Sequence, residues 1–235
     1  MIFTAFSRLG DFMLTWPVAS WYYKTHGEKI HWVLPKPLEN EEHSNYNLYL
    51  EKYNLFKIKN LLECQDFTEK VTYIPITERW QFNPEKYGIE GKYCNFGIWW
   101  TREFDYIPGV YGKRYGLGFD KDFVIKYKKI ECPTYNDVWI ETAVWRDNVG
   151  SLRKIIPPDS HELNHNDDIE YNINISMNAK NVWTNGGGFA IMMDLLKKPI
   201  IIHKTKFEFE LGDKPVFRCL AFPNEGYPEH TYIWQ

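Results

Sequence analysis

The apolar and polar positions of this 235-residue chain open with a short apolar run, Met1–Phe6 (MIFTAF), broken by Ser7-Arg8 and followed by Leu9-Gly10-Asp11. The apolar pattern then recurs at Phe12, Thr15/Trp16, Ala19 and Tyr22/Tyr23, which is helical spacing. Pro17 lies inside this pattern and either kinks the helix or marks its true first turn. Gly27, after Thr25-His26, is placed to cap the helix end. Lys29–Leu34 (KIHWVL) then reads as a strand, ended by Pro35 and Pro37. Strand, glycine-containing turn, helix and strand in succession make a βαβ unit, the opening of a parallel α/β sheet.

The middle of the chain is less regular. Asn45–Lys59 reads as a helix and Lys70–Pro75 as a strand. Between Thr77 and Pro133, Gly, Tyr, Trp and Asp are dense, and strands are predicted at Asn95–Trp100 and Phe123–Ile130. Cys132-Pro133-Thr134 reads as the connection between two halves, giving domains 1–133 and 134–235. The second half predicts a strand at Asp137–Ala143, a loop over Asp159–Asp168, a helix at Ile169–Ala179 and a strand at Asn181–Thr184. Asn185-Gly186-Gly187-Gly188 is a glycine turn. A helix follows, with Phe189, Met192, Met193 and Leu196 at i, i+3, i+4 and i+7. Pro199 then leads into Ile200–His203, whose unbroken apolar run suits a buried parallel strand. A further apolar segment, Phe207–Leu211, precedes a Pro- and Gly-bearing tail.

Composition narrows the class of protein. Hydrophobic residues at 44% and charged residues at 25% describe a folded globular chain. No apolar run reaches the about 18–20 residues of a membrane span, and Arg8 and Asp11 interrupt the start where a signal peptide needs an apolar core. A cytoplasmic location is expected. The four cysteines are far apart with no CxxC pair, which argues against a zinc site or a disulfide scaffold. A pI of about 6.2 argues against bulk electrostatic binding to nucleic acid. Lys outnumbers Arg 21 to 7, beside 17 Asn and 21 Ile. That bias suits an A+T-rich genome, a phage among the sources, and the location would then be the host cytoplasm.

Two places carry candidate chemistry. Gly186-Gly187-Gly188 stands between a strand and a helix, where backbone N–H groups and the helix dipole favour phosphate. A tight turn explains the glycines equally well, and the sequence is neither a Walker A loop nor GxGxxG. Asp11 also opens a helix directly after a strand, at the carboxyl edge where open α/β sheets bind ligands. There it serves either as a helix cap or as a carboxylate able to take a proton from an acceptor hydroxyl.

The run Ser7-Arg8-Leu9-Gly10-Asp11-Phe12-Met13-Leu14-Thr15-Trp16-Pro17 resembles the opening of lipopolysaccharide heptosyltransferases: a strand, a Leu-Gly-Asp turn, two or three apolar residues, Thr, one residue and Pro. Asn181–His203 (NVWTNGGGFAIMMDLLKKPIIIH) is similar to the sugar-nucleotide helix of the same family. The resemblance implies a GT-B arrangement, two Rossmann-like lobes facing a cleft, with the second lobe reduced in this shorter chain. It implies an inverting, metal-independent glycosyltransferase with the acceptor on the first lobe, the nucleotide-diphosphate sugar on the second, and no other cofactor. Asp11 becomes the general base, with Gly10, Arg8, Trp16 and Trp145 at the substrates. Arg146 and Lys154, with Asn185, Gly186, Gly187, Gly188 and Phe189, become the phosphate-binding group. Trp99, Trp100 and Trp183 are further candidates to wall the cleft.

The family usually shows Asp-Thr-Gly with a His shortly after, whereas Thr184-Asn185-Gly186-Gly187-Gly188-Phe189 has neither the Asp nor the His. The sugar and the nucleotide are therefore open. The acceptor is either a surface saccharide or a hydroxylated or hydroxymethylated base of phage DNA. The second reading draws on Lys113, Arg114, Lys121, Lys126, Lys128 and Lys129, interleaved with Tyr and Phe. A non-catalytic nucleotide- or sugar-binding module is the alternative to an enzyme.

Overall fold

The structure, a computed structural model, describes residues 1–6, 9–36, 58–75, 84–90, 93–97, 107–141, 152–164, 168–204 and 226–234. The chain divides into two compact units, Met1–Lys126 and Tyr127–Gln235.

In the first unit the described strands are β1 (Ile2–Phe6), β2 (Ile30–Lys36), β3 (Thr68–Pro75) and β4 (Tyr93–Gly97). They form one parallel sheet in the order β3-β2-β1-β4. Two helices, α1 (Leu9–Met13) and α2 (Trp16–His26), join β1 to β2. The helical pattern read from the sequence is thus broken once, at Leu14-Thr15. There the Thr15 N–H and Oγ1 both turn back to the Phe12 carbonyl, at 3.0 and 2.7 Å. Pro17 falls in the first turn of α2, where a missing N–H removes no intrahelical bond. Gly27 closes α2 in the left-handed conformation (φ 68°), its N–H donating to the Tyr23 carbonyl at 2.8 Å.

Pro35 does not end β2. It pairs with Ile74 of β3 and lies beyond Val33, the last residue of β2 paired with β1, so it removes no rung on that side.

The core of this unit is aromatic. Phe3, Phe12, Trp16 and Trp32 are all fully buried. Phe12 meets Trp16 and Trp32 edge to face at 5.7 and 5.2 Å, and Phe3 meets Trp32 at 5.4 Å. Such pairs add about 0.5–1.5 kcal/mol each beyond the area they bury.

The described first unit also has two short α-helices, α3 (Lys59–Glu63) and α4 (Ile107–Arg114), and a 3₁₀ turn at Pro84–Tyr87. The helix expected from Asn45 lies outside the described residues up to residue 57. The strand expected at Asn95–Trp100 begins two residues earlier as Tyr93–Gly97, in register with Ile2–Phe6.

The strand expected at Phe123–Ile130 is absent, because side-chain amides bond its backbone instead of a ladder. Gln65 accepts from the Lys126 N–H (3.0 Å) and donates to the Lys126 carbonyl (2.7 Å). Within the second unit, Asn174 accepts from the Ile130 N–H (3.1 Å) and donates to the Lys128 carbonyl (2.9 Å).

The described strands of the second unit are β5 (Asp137–Ile140), β6 (His161–Glu162), β7 (Asn181–Thr184), β8 (Ile201–Lys204) and β9 (Thr231–Trp234). They form a second parallel sheet in the order β6-β5-β7-β8-β9. Helix α5 (Ile169–Asn178) precedes β7, and α6 (Gly187–Leu195) links β7 to β8. β6 interrupts the segment read as a loop, and β9 supplies an edge strand that the tail did not announce. Phe207–Leu211 lies outside the described residues.

Candidate functional site

The turn from β7 to α6 gathers the predicted phosphate residues. Strand β7 alternates half-buried and buried side chains, which brings Thr184 into the interior at its carboxyl end. The Thr184 hydroxyl accepts from the Gly186 N–H at 3.2 Å and lies 3.3 Å from the Gly186 carbonyl. Gly186 has φ 107° and ψ −148°, and Gly187 has φ 75°. Side chains are disfavoured at both values, so the two glycines are required by the path of the chain. Asn185, Gly186 and Phe189 are buried, Gly188 is half-buried and Gly187 is exposed.

The two helices of this unit begin differently. Asp168 caps α5 with its own carboxylate, accepting from the Glu170 and Tyr171 N–H groups at 2.7 and 3.3 Å. The cap position of α6 is Gly186, and no side chain caps it. The first turn of α6 therefore presents backbone donors and the positive end of the helix dipole without a built-in anion.

The far end of α6 is fixed by a pair that the sequence reading missed. Asp194 is fully buried, and His230 Nε2 lies 3.0 Å from its Oδ1. His230 Nδ1 accepts the Ile200 N–H at 3.3 Å. A backbone N–H can only donate, so Nδ1 carries the lone pair and Nε2 carries the hydrogen given to Asp194. Helix α6, the residue before β8 and the residue before β9 are joined at this point. The signal was present in the sequence as an acid inside the apolar run Ile191-Met192-Met193-Asp194-Leu195. Nearby, Lys198 donates to the Ala179 carbonyl at 2.6 Å, and burial holds its ammonium below the ordinary lysine range.

The other predicted residues are placed as follows. Gly10 is buried and accepts from the Leu14 N–H at 3.1 Å. Asp11 is the third residue of α1, inside the first turn after β1 and not at the cap position, and its backbone alone is described. Trp16, expected at the substrate, is fully buried between Phe12 and Phe67, so its ring serves as packing. Lys154 is exposed in a short 3₁₀ turn, Leu152–Lys154. Its neighbour Arg153 lies over the Trp139 ring and pairs with Glu162 at 2.6 Å. Arg8, Trp99, Trp100, Trp145 and Arg146 lie outside the described residues. In the lysine-rich run, Lys126 is tied to Asp66 at 2.5 Å. Among the described residues no group of three or more His, Cys, Asp or Glu could hold a metal ion, and no helix is long and apolar enough to cross a membrane.

The described residues form two parallel α/β sheets, one with an uncapped glycine turn at a strand's carboxyl end, a fold similar to that of GT-B glycosyltransferases. Among solved structures, the chain is similar to the Escherichia coli heptosyltransferase WaaC with ADP. The TM-score is 0.55 at 12% identity, over 100% of this chain and 93% of that one. It is also similar to the bacterial iron-containing dodecameric glycosyltransferase TibC from enterotoxigenic E. coli H10407. There the TM-score is 0.50 at 11% identity over 86% of this chain, and the match spans 57% of TibC. No protein-family model matches the chain, and no curated protein matches it significantly by sequence.

Proposed function

We propose that this chain is an inverting glycosyltransferase that moves a sugar from a nucleotide-diphosphate donor to an acceptor hydroxyl. The observation that carries the reading is the glycine-rich turn Asn185–Gly188, without a side-chain cap, at the carboxyl end of β7, in a chain similar over its whole length to WaaC, whose structure holds ADP. The acceptor oxygen attacks the anomeric carbon as the bond to the diphosphate oxygen breaks, and Asp11 takes the acceptor proton. Charge grows on the leaving diphosphate. Donors fixed in advance stabilise such charge most: the N–H groups of Gly187, Gly188 and Phe189, helped by Arg146 and Lys154. The diphosphate charge is met by these groups without a metal. Gly10, Arg8 and Trp145 complete the substrate contacts, while Trp16 supports α1 and α2 from the core.

The first acceptor to test is a surface saccharide. A hydroxymethylated base of phage DNA is the second. The experiment is incubation of the chain with a panel of nucleotide sugars, with and without saccharide or hydroxymethylated DNA, following nucleotide-diphosphate release. Release that rises with one acceptor supports the transferase. Binding without release under every condition leaves a non-catalytic binding module.

A further inference from the structure

The β5-β7-β8 register brings three polar side chains to one sheet edge beside the glycine turn. Ile140 pairs with Thr184, and Thr184 with Ile202. One residue further on are Glu141 and Asn185, each just past the end of its strand, and His203 within β8: an acid, an amide and an imidazole at the carboxyl ends of three adjacent strands. Each follows an apolar or buried position: Ile140, Thr184 and Ile202 are 4%, 0% and 0% exposed. Glu141 is half-buried, and its Oε1 accepts the Leu152 N–H at 3.1 Å, which fixes the carboxylate at the carboxyl end of β5. Asn185 and His203 are buried. In parallel α/β sheets ligands bind outside this edge.

We infer that Glu141 selects the sugar of the donor: it accepts hydrogen bonds from sugar hydroxyls and turns away sugars that carry a carboxylate. The inference rests on the donor site proposed above and adds a substrate class to it, neutral sugars in preference to uronic acids. The physical basis is charge. A hydroxyl offers a donor to the carboxylate, whereas a sugar carboxylate close to a half-buried Glu141 meets like charge at reduced dielectric, and rejecting the wrong ligand is half of specificity. Asn185, between Glu141 and the glycines, can serve both a hydroxyl and a phosphate oxygen because its amide donates and accepts.

The test uses matched donors that differ only at one sugar carbon: UDP-glucose with UDP-glucuronate, and GDP-mannose with GDP-mannuronate. Affinities are measured by calorimetry on the full chain, with UDP, GDP and ADP as sugar-free references. The wild type should favour the neutral member of a pair by about tenfold or more. Glu141→Gln keeps an oxygen for the Leu152 N–H and removes the charge, so it should shrink that ratio to within about threefold while sugar-free nucleotide affinity holds within about twofold. A ratio unchanged by Glu141→Gln, equal affinity of the wild type for both members of a pair, or binding of nucleotides but of no sugar nucleotide overturns the inference. Failure of the wild type to bind any nucleotide diphosphate overturns the donor-site reading itself, and this inference with it.

Discussion

His230 donates through Nε2 to the fully buried Asp194 at 3.0 Å while its Nδ1 receives the Ile200 N–H. A neutral imidazole of one tautomer thus fixes the end of the helix that begins at the glycine turn. Glutamine also offers one acceptor and one donor. His230→Gln should therefore stay within about 1 kcal/mol of the parent, whereas His230→Leu strands both the Asp194 carboxylate and the Ile200 N–H and should cost about 2–5 kcal/mol. Urea unfolding of the two variants checks this. Equal losses in both would show that ring volume, not the two hydrogen bonds, holds the helix end.

A second prediction concerns the amides that take the place of a strand. Asn174 Nδ2 donates to the carbonyls of Lys128 and Glu170 at 2.9 and 2.8 Å. Asn174→Asp keeps the size and places a carboxylate oxygen against two carbonyls. The expected loss is about 1–3 kcal/mol, with faster tryptic cleavage after Lys128 and Lys129. Stability and cleavage equal to the parent would mean that these bonds contribute nothing measurable.

These amides also show where sequence reading ends. The βαβ openings were legible because their signals are local: Phe12 to Tyr23 at helical spacing, Gly27 as a stop, and Asn181–Thr184 leading into glycines and an apolar helix. Phe123–Ile130 has the composition of a strand. What decides its structure is Gln65 and Asn174, which are distant in sequence and can be recognised as ladder substitutes only once their positions are known. β6 has two residues and β9 pairs with β8 across a long separation, so neither carries a periodic signal of its own. At the site, the glycine turn was legible from residue type. The Asp194–His230 pair and the row Glu141-Asn185-His203 depend on strand register, which the sequence does not print. Trp16 was misread because a tryptophan near a catalytic motif and a core tryptophan look alike in sequence.

Alkaline pH supplies a third prediction. The Tyr232 phenol is pushed up to about 12, first by burial and then by the charge of Asp194. In the unfolded chain a tyrosine ionises near about 10. Between these values the unfolded state holds fewer protons than the folded one, so stability falls as pH rises from about 10 towards about 12. Denaturant midpoints across that range should decline, and Tyr232→Phe should flatten part of the decline. An identical decline in the variant would assign the effect to other groups.

The glycine turn can be tested apart from turnover. Gly187 is exposed, but its φ of 75° disfavours a side chain. Gly187→Val should therefore shift the turn and misdirect the first backbone donors of α6. Each hydrogen bond to a charged group contributes about 1.5–3 kcal/mol, and losing two would weaken nucleotide-diphosphate binding by about 10²- to 10⁴-fold. Calorimetry gives the affinity, and circular dichroism gives the fold. Intact fold with unchanged affinity would remove the turn from the phosphate site.

The last prediction is that Asp11→Asn abolishes transfer and spares donor binding. Asp11 stands in the first turn of α1, just after the carboxyl end of β1. A carboxylate in the first turn of a helix is favoured by the helix dipole, and a deprotonated carboxylate is able to accept a proton. General-base catalysis is worth about 10²–10⁴-fold, so turnover should fall by that factor while nucleotide affinity holds within about twofold. The rival role is electrostatic support of the helix. Because Asp11 is inside the turn and not its cap, that role predicts a loss of only about 0.3–1 kcal/mol of stability and a turnover close to the parent. The two accounts separate on a single comparison, the rate of the variant at saturating donor against its unfolding free energy. A rate within a few-fold of wild type beside a small stability loss would leave Asp11 a helix-stabilising residue and send the search for the base to another carboxylate.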